Sequence, residues 1–124
     1  WFLERRNSVG KDHWKALQIA IEEGVNIALG TDQLPFEPND GTTATVREAQ
    51  YYVEAGMTPL QALRAATIES ARMLGADDEM GSLEVGKFAD IVAVLSDPIQ
   101  GIKALRNIQL VMKGGEVYLN RLEK

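Results

Sequence analysis

The sequence contains no cysteine and a single histidine, His13. Without cysteine there are no disulfides, no thiolate zinc sites and no cysteine nucleophile. The same absence leans toward the reducing cytosol, so a cytoplasmic location is the expectation, although it is compatible with secretion. No apolar run approaches the ~20 residues that a membrane span needs. The longest such run, IVAVL at residues 91–95, is the size of a strand. Basic residues are in deficit, with 13 Lys and Arg scattered among 18 Asp and Glu for a net charge of −5. Phosphate binding needs clustered cations, so nucleic acid is disfavoured as a partner. The opening WFLERRNS has no Met and no basic-then-apolar leader. This N-terminus was therefore not made by initiation at residue 1, and residues upstream are expected.

What is present is ordinary globular composition, 45% hydrophobic and 25% charged over 124 residues. That length suits one domain or a piece of one, since α/β barrels run to about 250 residues. In KDHWKALQIAIEEG, Trp14, Leu17, Ala20 and Ile21 recur at helical spacing, and Gly24 is placed to end the helix in a left-handed turn. VNIALG at residues 25–30 is almost continuously apolar, as in a parallel strand covered on both sides. After the loop at residues 33–43, TVRE at 45–48 has capping-box spacing, and Val46, Ala49, Tyr52 and Val53 continue a stripe to Gly56. In TPLQ, Thr58 can cap, Pro59 suits the first helical position and Gln61 can reach back to the cap. Leu60, Leu63, Ala66, Ala71 and Leu74 then carry the expected apolar contacts to a stop at Gly75. From Asp77 onward the pattern turns to strands: one ends at Asp97-Pro98, and two more are joined by Gly114-Gly115.

Asp32 ends the apolar run NIALGTD and opens the loop QLPFEPNDG. Catalytic side chains of parallel α/β folds sit at the carboxyl ends of strands, which makes this aspartate a candidate site residue. An Asx turn or a loop cap accounts for it equally well on the residues alone. Gly30 and Thr31 can support the site, by close backbone approach and by hydrogen bonding, or can simply end the strand. Phe36, Glu37 and Asn39 in the following loop are candidates for substrate contact, against the simpler reading of a surface connector. His13 reads as a surface or helix-packing residue.

Four ordered stretches, VNIALGTD, VEAGMTPLQALRAATIESARMLG, GSLEVGKFADIVAVLSDP and VMKGGEVY, together resemble the C-terminal portion of the metal-dependent amidohydrolase superfamily. Its imidazolonepropionase-like and Xaa-Pro dipeptidase-like members have the nearest pattern. The resemblance implies an α/β chain that is the C-terminal fragment of a (β/α)₈ TIM barrel, followed by the C-terminal strands of a small composite β-sandwich. Residues 1–76 would belong to the barrel, with 25–30 its eighth strand and 11–23 the helix before it. Residues 77–124 would belong to the sandwich, where Asp90 falls in a structural turn. The resemblance further implies hydrolysis of an amide, dipeptide or cyclic amide C–N bond, with Asp32 as metal-site carboxylate and general base. The implied metal is divalent, zinc first with iron or manganese as alternatives.

The superfamily's other metal-site residues, a His-x-His pair, a bridging Lys or Glu and two further histidines, lie on strands upstream of residue 1. On that basis the isolated chain is expected to be inactive and to bind no metal by itself. Its expected partners are the missing N-terminal part of the same polypeptide, a small-molecule or dipeptide substrate, and further copies met through exposed edges, with no nucleic acid and no membrane. A non-catalytic folding or oligomerisation module is the alternative. A self-contained small domain that borrows these motifs is a weaker third reading.

Overall fold

The computed structural model describes residues 10–32 and 43–122. Four helices come first: α1 Gly10–Glu22, α2 Thr43–Ala55, α3 Pro59–Ala65 and α4 Ile68–Met73. Strand β1 Ile91–Val94, a 3₁₀ helix Ile102–Arg106, and strands β2 Ile108–Lys113 and β3 Glu116–Asn120 complete the order.

Helix α1 ends at Gly24, whose φ of +70° is the left-handed stop expected of it. Its apolar stripe packs Leu17 and Ile21 against the core, and Trp14 meets Tyr51 edge to face at 6.5 Å. Helix α2 begins at Thr43, two residues before the predicted capping box, so Thr45 lies inside the first turn and is not the cap. Local spacing suggested the start, but the helix extends past it while burying Val46, Ala49 and Tyr52. Helix α3 follows its capping signal closely. Gln61 N–H donates to Thr58 Oγ1 at 3.2 Å, and Thr58 N–H donates to Gln61 Oε1 at 2.8 Å.

The predicted apolar stripe of α3 and α4 differs from the observed one. Leu63 packs against the core and Ala71 is buried, both as predicted, but Leu60 and Leu74 are 50% and 70% exposed, and Ala62 and Ala65, outside the predicted stripe, are buried. Small residues win these positions because the inward face is in close packing. A break in the helix at Thr67, whose backbone is not helical, resets the register between the two halves. Ala49, Tyr52, Met57, Ala62 and Ala65 form the core together with Ile102 of the 3₁₀ helix. Arg106 Nη2 extends that contact by donating to Gln50 Oε1 at 3.0 Å.

The three strands form one antiparallel sheet in the order β1-β2-β3. Lys113 pairs with Glu116 across Gly114-Gly115, whose φ values of +57° and +87° fit the tight turn that matches strand twist. Asp90 ties this turn to the start of β1. Its Oδ1 accepts from Gly114 N–H at 2.7 Å and its Oδ2 accepts from Lys113 Nζ at 2.9 Å.

Lys113 and the Gly114 N–H hold the Asp90 carboxyl below the usual aspartate range. A folded pKa below the unfolded one gives stability that is present above the ordinary aspartate pKa and is lost as pH falls through the folded value. The hairpin is therefore expected to loosen in acid in a way that Asp90→Asn abolishes. An NMR titration placing the Asp90 carboxyl at or above the ordinary value contradicts this. The Lys113 side chain is 72% exposed, so added salt weakens the effect.

Candidate functional site

Residues 25–32 leave α1 without regular secondary structure and form no strand ladder among the described residues, unlike the predicted strand. A ladder needs a neighbouring strand. Here the backbone groups at the segment's end are taken up by the helices. Leu29 N–H donates to the Ala65 carbonyl at 2.9 Å and lies 3.3 Å from Ser70 Oγ. Ser70 Oγ itself donates to the same Ala65 carbonyl at 2.7 Å. From the other side, the Tyr52 hydroxyl donates to the Ala28 carbonyl at 3.2 Å. The peptide joining Ala28 to Leu29 is thus gripped at its oxygen by α2 and at its nitrogen by the junction of α3 and α4.

Asp32 follows three residues later, exposed, with φ +49°. It is the one non-glycine residue at positive φ among the described residues. L-residues other than Gly, Asn and Asp seldom enter this region, and such outliers gather at functional sites. Thr31 beside it is half-buried. A Cβ added at Gly30 would meet nothing within 4 Å, so among the described residues no close approach demands a glycine there. Phe36, Glu37 and Asn39 lie outside the described residues. His13 is exposed on α1, as the surface reading expects.

Sequence reading missed Tyr52 and Ser70 as neighbours of this segment, and Glu48 as a neighbour of Tyr52. Burial raises the Glu48 carboxyl's pKa. The Tyr52 phenol is pushed up first by burial and then by the Glu48 charge, while the Gly30 N–H pulls it down. Tyr52 was legible only as one apolar member of the α2 stripe. The available signal was its hydroxyl, because a buried tyrosine needs a hydrogen-bond partner. Among the described residues, no three His, Cys, Asp or Glu side chains converge on a point that could hold a metal ion. A catalytic metal site ordinarily takes three protein ligands, so Asp32 can serve as one ligand and the described residues do not make up a site.

A model of the amidohydrolase family matches residues 2–118. Ochratoxinase of Aspergillus niger is 38% identical over 116 residues, covering 90% of this chain and 23% of that protein. Imidazolonepropionase of Geobacillus kaustophilus is 36% identical over 108 residues, covering 81% of this chain and 24% of that protein. The crystal structure of a Xaa-Pro dipeptidase with bound methionine in the active site superposes with a TM-score of 0.83 at 38% identity. The superposition covers 94% of this chain and 28% of the dipeptidase. The chain spans about a quarter of the length of these relatives. The ordered motifs and the match along nearly the whole sequence agree, and the chain belongs to the amidohydrolase family.

Proposed function

We propose that this chain is the C-terminal segment of a hydrolase that cleaves the C–N bond of an amide, a dipeptide or a cyclic amide, with Asp32 as its general base. The observation that carries the reading is the placement of Asp32, a carboxylate in left-handed backbone at the end of a segment pinned by hydrogen bonds from two sides. In this mechanism water attacks the carbonyl carbon while Asp32 takes one of its protons. The C–N bond of the tetrahedral intermediate then breaks as Asp32 passes that proton to the leaving nitrogen. Similarity to ochratoxinase, imidazolonepropionase and a Xaa-Pro dipeptidase supports the bond class. In our reading residues 1–76 belong to a barrel and 77–124 to a β-sandwich. A divalent metal, zinc first with iron or manganese as alternatives, takes its remaining ligands from outside this chain. The test is turnover of a panel of Xaa-Pro dipeptides, N-acyl amino acids and cyclic amides by the intact polypeptide, with Asp32→Asn as the decisive variant. A wild-type protein that hydrolyses none of them sinks the bond class.

The apolar surface supports a segment that has partners. Leu83, Val85 and Phe88 are 72%, 106% and 54% exposed, and Val117 and Tyr118 are exposed on β3, an edge of the sheet. Unpaired strand edges and apolar patches drive association. The isolated segment is therefore expected to elute from gel filtration larger than a monomer, and a clean monomer across a range of concentrations contradicts this.

A further inference from the structure

We propose that Tyr52 is a positioning residue for Asp32, its hydroxyl and the Ala65–Ser70 junction acting as the two jaws that fix the segment from which Asp32 projects. The inference rests on the reading of Asp32 as general base and adds what holds it in place.

The peptide between Ala28 and Leu29 has one carbonyl and one N–H, and both point at helices. Tyr52 takes the carbonyl, while the Ala65 carbonyl and Ser70 hydroxyl take the N–H. The jaws are themselves set in packed structure. Tyr52 is 7% exposed and sits in the core with Ala49, Met57 and Ala62. Ala65 is 1% exposed, and its carbonyl receives both the Leu29 N–H and the Ser70 hydroxyl. The non-helical Thr67 divides α3 from α4, which brings the Ala65 carbonyl and the Ser70 hydroxyl together on Leu29. From Leu29 to Asp32 only two residues intervene, so error in the anchored peptide passes to the carboxylate with little chance of correction. A side chain that moves a proton must keep its reach to within a fraction of an ångström, and anchors of this kind supply that.

Tyr52→Phe in the intact polypeptide removes one hydroxyl and keeps the ring in the core. It is expected to lower kcat about 10- to 100-fold while KM stays within about twofold, because the geometry of the reacting groups changes and substrate binding does not. Circular dichroism at the assay temperature establishes that the variant is folded, so that the loss is not a smaller active fraction. Ser70→Ala opens the other jaw and is expected to give the same kcat-selective loss, smaller because the Ala65 carbonyl remains on Leu29.

Asp32→Asn is measured alongside, with the best substrate of the panel above. If Asp32→Asn is inactive and folded Tyr52→Phe keeps wild-type kcat, the positioning inference is overturned while Asp32 stands. If Asp32→Asn keeps wild-type kcat, the reading of Asp32 fails first. Should Tyr52→Phe fail to fold, Ser70→Ala decides, and an unchanged kcat there overturns the proposal.

Discussion

Asp32→Asn in the intact polypeptide is expected to lower kcat by about 10²- to 10⁴-fold, the range by which a positioned general base accelerates proton transfer. The substitution is well matched to the question because it changes little else. Asparagine is nearly the same shape as aspartate, and it is among the few residues that enter the left-handed region at modest cost, so the φ of +49° is preserved. Asp32 is exposed, so folding stability is expected to move by no more than about 0.5 kcal/mol. What is lost is the carboxylate's capacity to accept a proton. Asp32→Ala is a harsher comparison, since it removes the base and also places an alanine in left-handed backbone. An Asn variant with near-normal turnover on the best substrate of the panel contradicts the assignment. An Ala variant that is much less stable than the Asn variant bears out the backbone part of the argument.

The sequence and the structure agree where one residue's chemistry decides the outcome locally. Gly24, the Thr58–Gln61 capping pair and Gly114-Gly115 each solve a backbone problem within a few residues, and each stands where its spacing predicted. Agreement weakens where a distant part of the chain decides. Leu60 and Leu74 fit a helical stripe but face out: on α3 the close contact takes Ala62 and Ala65 instead of Leu60, and the break at Thr67 resets the register before Leu74. Residues 25–30 read as a strand by hydrophobicity, yet pairing depends on a neighbour, and the end of that segment is held by helices 24 to 41 residues away in sequence. For the candidate site, Asp32 stood out as a carboxylate closing an apolar run, but on the residues alone an Asx turn fitted it equally well, and it was the resemblance that tipped the balance toward a site residue. Tyr52 and Ser70 were not legible, because their part depends on hydroxyl groups meeting backbone atoms that no spacing rule connects.

Gly81→Ala is expected to destabilise the protein by about 2–5 kcal/mol, the sum of an overpacking cost of about 1–3 kcal/mol and about 1–2 kcal/mol for an L-residue in left-handed backbone. Gly81 has φ +91°, and a Cβ there would lie 2.7 Å from Ala71 Cβ, 3.0 Å from Ile68 Cα and 3.3 Å from the Thr67 carbonyl oxygen. None of these neighbours can swing aside. Two are backbone atoms at the start of α4, and the third is the only side-chain carbon of a residue 3% exposed. The strain must therefore move α4 or the turn that carries Gly81. Gly86 provides the control: its φ is +95°, but a Cβ there meets nothing within 4 Å. Gly86→Ala should incur the conformational cost alone, about 1–2 kcal/mol. A Gly81→Ala protein whose denaturation midpoint falls no further than that of Gly86→Ala shows that the close approach carries no weight. The effect should also reach the candidate site, because α4 bears Ser70 and Ser70 meets Leu29. A methyl group driven between Gly81 and α4 pushes on the jaw opposite Tyr52. The fraction of Gly81→Ala that remains folded is therefore expected to turn over more slowly than wild type, whereas folded Gly86→Ala is expected to match it.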